Sequence, residues 1–309
     1  TRLTVSGSVE ESLFYQKDNS SSYSAIDVYF TQRGGEILPL DTDRVESYLD
    51  ALKYLGLTDY VTYNAAETDL ATYGLDDPEL TVSVDYTGED EDGEEMSGTV
   101  SLSISRDPEE IKEAQEKEAA QAEEEAEESG ETAETDETAG EEAEEITAYA
   151  RVGDSPIIYQ VTSSQYLNLM KASYDDLRHP EVLPASFEDI SQVDISLEGS
   201  DYTITSEKDG DERVYYYQDE ELEIDGFQSA LEALSATSFT DKEPEQKEEI
   251  SLTVHLELED REEQPTVRIQ LYRYDGTYCL AVVDDEPVSL VKRSSVVDLV
   301  EAVNAIVLN

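Results

Sequence analysis

Proton transfer near neutral pH, nucleophilic attack and metal ligation each need particular side chains, and this chain of 309 residues is poor in most of them. It has two histidines, His179 and His255, one cysteine, Cys279, and no tryptophan, against 76 aspartates and glutamates. Histidine is the side chain whose ordinary pKa lies nearest neutrality, so general-base schemes reduce to these two rings. His255 sits in Leu252-Thr253-Val254-His255-Leu256-Glu257-Leu258, where the apolar residues alternate. That alternation predicts a strand with His255 on its polar face. His179 precedes Pro180 in a predicted loop, placed to cap a helix ending near Arg178. No nucleophile stands at a motif-like distance from it, and the G-x-S-x-G signature is absent. Cys279 falls in the apolar run Tyr278–Val283 and reads as a core thiol.

The carboxylates are numerous but unselected. Glu89-Asp90-Glu91-Asp92-Gly93-Glu94-Glu95 lacks the alternating ligands, central glycine, terminal glutamate and flanking helices of a calcium-binding EF-hand loop, and reads as a solvated hairpin tip. Asp209-Gly210-Asp211 reads as a turn. Nothing singles out a pair of acids for glycoside hydrolysis, and there is no phosphate-binding loop, dinucleotide fingerprint or Cys/His metal spacing. The sequence therefore predicts no catalytic, cofactor-binding or metal-binding residues and no cofactor. Twenty tyrosines point elsewhere. In Tyr215-Tyr216-Tyr217 neighbouring rings must lie on opposite faces of a strand, and tyrosine on a sheet face suits a binding surface because it joins apolar area to a polar tip.

The net charge is −56, and residues Arg106 to Ile146 hold nineteen acidic and three basic side chains of it. The remainder is itself acidic, which repels phosphate backbones and anionic lipid headgroups and argues against nucleic acid as a partner. A single cysteine precludes an intramolecular disulfide. No stretch has the ~18–20 apolar residues needed to cross a bilayer. The chain opens at Thr1, without Met, in a predicted strand, which reads as a fragment that has lost an export signal or anchor.

The elements repeat. Leu40–Asp59 (LDTDRVESYLDALKYLGLTD) aligns without a gap on Leu222–Asp241 (LEIDGFQSALEALSATSFTD), and Asp154–Ser164 (DSPIIYQVTSS) on Asp285–Ser295 (DEPVSLVKRSS). Each copy predicts strands, then a helix with an apolar stripe: Val45, Tyr48, Leu49, Leu52 and Leu55 in one, and Phe227, Leu231 and Leu234 in the other. Capping boxes are expected at Asp43 with Glu46 and at Asp225 with Gln228. Strands are expected at Leu3–Val9 and Ala25–Phe30, the latter with Ile26, Val28 and Phe30 on one side. A short helix near Ala65–Tyr73 should close at Gly74, with Pro78 preventing continuation. Short turns between successive strands favour antiparallel pairing. The expected fold class is α+β: two tandem related units over residues 1–185 and 186–309, each an antiparallel sheet with helices on one face. The acidic segment 106–146 is then an overgrown hairpin loop of the first unit, helical to about Glu128 and disordered from Ser129.

Tyr73-Gly74-Leu75-Asp76-Asp77-Pro78 entering a strand, then Tyr149-Ala150-Arg151-Val152-Gly153-Asp154, then Leu177-Arg178-His179 before Pro184, together resemble the family catalogued as domain of unknown function 4340, over about Leu40 to Asn309. The resemblance implies a bacterial protein with an N-terminal membrane-spanning helix and an exported domain, encoded in some members beside ABC-transporter components. It implies no catalytic residues. This chain departs from the pattern in its acidic insert, in having no Trp and in showing no anchor helix. The expected function is thus a non-enzymatic, membrane-anchored extracytoplasmic module that binds protein partners, with ABC-transporter subunits as those the resemblance implies. One alternative is a small ligand or cell-envelope polymer bound in the groove between the repeats; another, less favoured, is a carboxylate-based hydrolase. As a surface loop the segment Arg106 to Ile146 is expected to be dispensable for folding, since loop closure costs only ~0.6 kcal/mol per doubling of length; an unchanged melting temperature after its deletion is the check.

Overall fold

The structure, a computed structural model, describes residues 2–89, 95–113, 146–210, 212–259 and 261–308. The chain divides into two compact units, one of Thr1–Gln16 with Tyr29–Leu177 and the other of Lys17–Val28 with Arg178–Asn309. The boundary thus falls after Leu177, and a loop from near the N-terminus groups with the second unit.

The first unit runs β1 (Arg2–Gly7), β2 (Glu11–Tyr15), β3 (Tyr29–Arg33), β4 (Glu36–Leu40), α1 (Thr42–Lys53), β5 (Asp59–Thr62), a 3-10 helix (Glu67–Tyr73), β6 (Leu80–Glu89), β7 (Glu95–Arg106), β8 (Ala148–Val152), β9 (Ile158–Val161), α2 (Ser163–Met170) and α3 (Tyr174–Leu177). The second runs β10 (Ile190–Leu197), β11 (Ser200–Asp209), β12 (Glu212–Tyr217), β13 (Glu220–Glu221), α4 (Asp225–Glu232), β14 (Ala236–Phe239), β15 (Glu248–Leu256), β16 (Thr266–Arg273), β17 (Tyr278–Val283), β18 (Glu286–Lys292) and α5 (Arg293–Val307). Each forms a nine-stranded antiparallel sheet, ordered β4-β3-β2-β1-β6-β7-β8-β9-β5 in the first and β13-β12-β11-β10-β15-β16-β17-β18-β14 in the second. The two orders are identical strand for strand, so the duplication seen in two short segments extends to the whole topology.

Alternation explains which face each strand buries. In β10 and β15 the buried residues Val193, Ile195, Ile250, Leu252 and Val254 share one core with Phe227 and Leu231 of α4 and Val296, Leu299 and Val303 of α5. The opposite face is polar: Asp194 accepts from Gln192 and Thr203 and pairs with His255 at 2.9 Å.

Pairing register fixes which residues correspond between copies. The buried rungs Leu80↔Ile104 and Val82↔Leu102 match Ile250↔Leu271 and Leu252↔Ile269. One residue before these rungs Glu79 is matched by Glu249, which stands at a register irregularity between Glu248 and Ile250 of the β15–β16 pair, and Arg106 corresponds to Arg273. Because Arg106 pairs with Ala148 and Arg273 with Cys279, those two correspond as well. The helices α2 and α5 begin after Thr162 and Lys292 as N-caps. Hence Tyr166 corresponds to Val296, and the gapless alignment of Asp154–Ser164 on Asp285–Ser295 slips by one residue before the helix. A register irregularity in the β17–β18 pair between Ala281 and Val282 absorbs the difference.

Several local expectations are corrected. The N-cap of α1 is Asp41, whose carboxylate accepts from Asp43 N and Arg44 N at 3.0 and 3.2 Å, so no capping box forms at Asp43. At α4 the cap position is Ile224, without a side-chain bond, and Gln228 turns instead to Glu232 at 2.8 Å. Ala25–Val28 is not strand: Asn19 donates to the Ala25 carbonyl and Ser22 to Asp27, local bonds that compete with a ladder, and Ile26 is exposed. The β7–β8 hairpin is indeed overgrown. Asp107 N bonds Thr147 O where Tyr274 N bonds Tyr278 O in the second unit, so the insert replaces a three-residue turn. Residues 108–113 are helical, with Asp107 capping Glu109 N at 2.9 Å. The remainder of the expected helix and disorder lies outside the described residues.

Gly74 closes the 3-10 helix in the left-handed region at φ 66°, and Leu75 N reaches back to Leu70 O at 3.0 Å. A Cβ at Gly74 would also lie 2.8 Å from Ser105 Oγ. Gly74→Ala should thus cost more than the ~1–2 kcal/mol of a left-handed alanine, seen as a lower midpoint in urea unfolding.

Candidate interaction surface

The segment that leaves α1 is Tyr54-Leu55-Gly56-Leu57-Thr58-Asp59-Tyr60-Val61-Thr62-Tyr63. A helix end at Tyr54 and a four-residue strand leave it little to bury. Its strand β5 is the last of the sheet and pairs only with β9, Asp59 opposite Gln160 and Tyr60 opposite Tyr159, with a bulge before Thr62. Among the described residues no strand pairs with the other side of β5, an open edge where an added strand would find backbone partners. Tyr54 is 70% exposed, Tyr60 50% and Tyr63 66%. Tyr60 stacks on Tyr63 at 4.8 Å between ring centres and lies 5.2 Å from Tyr159, so the rings hold one another. The Lys53 ammonium sits 4.7 Å from the Tyr54 ring centre. Val61, on the opposite side of the strand, is also exposed.

The corresponding strand in the second unit carries no such surface. β14 reads Ala236-Thr237-Ser238-Phe239, and the Arg178 guanidinium lies 3.5 Å from the centre of the Phe239 ring. The two copies share a topology and differ in what their terminal edge presents. On the helical side of the first unit, an open cleft of about 410 Å³ lies between α1 and α2, with Arg44, Ser47, Asn168 and Lys171 on its wall.

Where the insert leaves the first sheet, a half-buried polar clasp holds both ends. Glu79 receives the Arg106 guanidinium at 2.6 and 3.0 Å, Arg106 N at 2.8 Å and the Tyr166 hydroxyl at 2.9 Å. Asp107 accepts from the Tyr149 hydroxyl at 3.2 Å, Glu110 accepts from Thr147 N, and Ser163 Oγ accepts from Ile146 N and donates to Ile146 O. Burial pushes the Glu79 carboxyl up, but the bonds from Arg106 and Tyr166 outweigh it and leave it below the ordinary carboxylate value.

The residues singled out from sequence scatter. His255 lies on the polar face as expected, with Nε2 on Asp194 and Nδ1 3.3 Å from Thr266 Oγ1. Cys279 is buried, and that burial pushes its thiol up to about 11. Tyr215 is a core ring whose hydroxyl donates to Phe187 O at 2.9 Å. His179 pairs with a buried carboxylate. Its Nε2 lies 2.9 Å from Asp27 Oδ2, which also accepts from Ser22 Oγ at 2.5 Å, and Asp27 is wholly buried. With the Arg261 guanidinium on the Asn19 and Ser22 carbonyls and the Tyr23 hydroxyl on Asp284 at 2.7 Å, this pair fixes the Lys17–Val28 loop into the second unit. Serine and histidine share one carboxylate oxygen there. Asp189, pushed up by burial, and Glu257, held down by Arg213, meet through the Glu257 N–H on the Asp189 carbonyl; neither lines the cleft by α1. The sequence reading missed Tyr54, Tyr60 and Tyr63. Their signal was three tyrosines in ten residues with no core-facing partner pattern.

Fold and surface together define a duplicated α+β module with one aromatic, open sheet edge and with histidines committed to structural pairs. Residues 34–253 match the family described as domain of unknown function (DUF4340), and the chain belongs to that family. The match runs from the β3–β4 turn into β15 and so takes in parts of both units. The chain matches no curated protein and no solved structure.

Two measurements follow from the clasp. Stability supplied by ionised Glu79 is full above the ordinary value of 4.5 and is lost as pH falls through the lower folded value. The stability difference between wild type and Glu79→Gln should therefore shrink as pH drops below 4.5, as read by urea titrations at several pH values. A deletion that starts at Arg106 also removes the clasp, so, against the sequence expectation, it should lower stability by roughly 1–3 kcal/mol.

Proposed function

We propose that this chain is a non-enzymatic, membrane-anchored, extracytoplasmic module that binds protein partners, and that the partners are subunits of an ABC-type transport system. The observation that carries the binding reading is the stacked pair Tyr60 and Tyr63, largely exposed at the edge strand β5. Exposed aromatic rings held rigid by one another present contact area at small entropic cost, and an open edge adds backbone hydrogen bonding to any strand laid against it. The anchor, the compartment and the transporter rest on what family membership implies.

None of the helices among the described residues is long and apolar enough to cross a membrane. The pairing of His179 with Asp27 and of His255 with Asp194 supports the non-enzymatic reading.

The test is affinity purification of the anchored protein from its host's membranes with mass spectrometry of what accompanies it. Transporter subunits recovered above a mock control would support the proposal. The Tyr60→Ala/Tyr63→Ala double variant should recover them at least tenfold less, as two interface tyrosines worth roughly 1 kcal/mol each or more require. Clean recovery of the protein alone would sink it.

A further inference from the structure

The internal duplication exposes a difference at one corresponding site. In the first unit Tyr166, four residues into α2, is 4% exposed, its hydroxyl donates to Glu79 at 2.9 Å, and the Arg106 guanidinium lies 5.9 Å from its ring centre. In the second unit register and caps place Glu249 where Glu79 stands, Cys279 where Ala148 stands and Val296 where Tyr166 stands. The acceptor is kept and the ring that served it is gone. In its place is a cleft of about 210 Å³, lined by Glu249, Cys279, Arg293, Val296, Val297, Val300 and Glu301. Arg293 Nε is buried there and has no hydrogen-bond partner among the described residues. The wall is therefore apolar where the phenol ring lies in the first unit and polar where its hydroxyl ends.

We propose that this cleft of the second unit is a socket for a tyrosine side chain supplied by a partner polypeptide, the ring lying against Val296 and Val300 and the hydroxyl donating to Glu249. The first unit fills the same position from its own helix with Tyr166. A phenol matches the site better than a plain aromatic ring, because burying Glu249 under an apolar face without a donor leaves its carboxylate unpaired. The inference rests on the protein-binding reading, and it names the chemistry of the contact on the second unit.

The direct probe is p-cresol, the tyrosine side chain without its backbone, titrated into the full chain labelled with nitrogen-15. Saturable shifts are expected at the amides of Cys279, Val296 and Val300, with a dissociation constant on the order of 1–10 mM for a ligand of this size. Toluene, which lacks the hydroxyl, should bind several-fold more weakly, and Glu249→Leu should erase that preference. Val296→Tyr restores the ring in cis and should abolish the p-cresol shifts while raising the melting temperature. Shifts that do not saturate, or equal affinity for toluene and p-cresol in wild type, would overturn the assignment; the wild-type titration decides it even if the variants fail to fold. A wild-type chain that sediments as a dimer, with Val296→Tyr a monomer, would overturn the partner in favour of a second copy. Because the titration needs no partner, transporter subunits recovered from membranes alongside a failed titration would remove only the socket.

Discussion

Each unit depends on one long-range pairing: the strand that starts a unit lies at the middle of its sheet, not at an edge. β1 pairs with β2 on one side and β6 on the other, and β10 likewise with β11 and β15. A meander of four strands on one flank is thereby stitched to a second meander on the other, across α1 or α4 in the sequence. The β1–β6 contact is close. Gly7, at φ 122°, stands where a Cβ would lie 2.4 Å from the Glu79 carbonyl, and the next amide, Ser8 N, bonds that carbonyl at 2.7 Å. The Glu79 side chain then reaches the other way to Arg106 and Tyr166, so one residue ties β1, β7 and α2 to the same point. Since closing such a contact costs loop entropy before it returns any burial, this pairing sets how cooperatively a unit forms.

The sequence disclosed much of this and missed particular parts for identifiable reasons. Strands with long apolar alternation, such as Ile250 to Leu256 and Val267 to Leu271, were legible because one face is fully buried. The stop at Gly74 was legible because only a left-handed residue ends the helix there. Short strands such as β5, β13 and β14 were not, since two to four residues with mostly exposed side chains leave no period to read. The helix caps were misread by two residues at α1 because Asp41 and Asp43 are both good caps, and the choice turns on which one has extended backbone. The buried Asp27–His179 pair lay beyond any local pattern, its members being 152 residues apart. Of the tyrosine triplet, Tyr215 fills the core while Tyr216 and Tyr217 are half-buried, and Tyr54, Tyr60 and Tyr63 are exposed.

The two copies show how a duplicated frame can be spent differently. Where the first unit seals the corner beneath its hairpin with Glu79, Arg106 and Tyr166, it also carries the acidic insert on that hairpin. Where the second keeps a tight turn at Asp275-Gly276-Thr277, the corner below is unsealed. At the far edge the roles reverse, with aromatic rings uncovered on β5 and the single ring of β14 covered by Arg178. Neither exchange alters the strand order, because both fall at hairpin ends, helix starts or the last strand, outside the pairing that joins the two meanders.

The path of the backbone carries one more implication, for synthesis. Residues 17–28 leave the ribosome well before the groups that hold them, His179, Arg261 and Asp284, which come more than 150 residues later. During translation the first unit can complete its sheet only with that loop hanging unsatisfied, its aspartate hydrated. The second unit then has to capture a segment made long before it. A cut between residues 177 and 178 would accordingly not separate the chain into two self-sufficient halves, because the second would leave one of its own parts on the first.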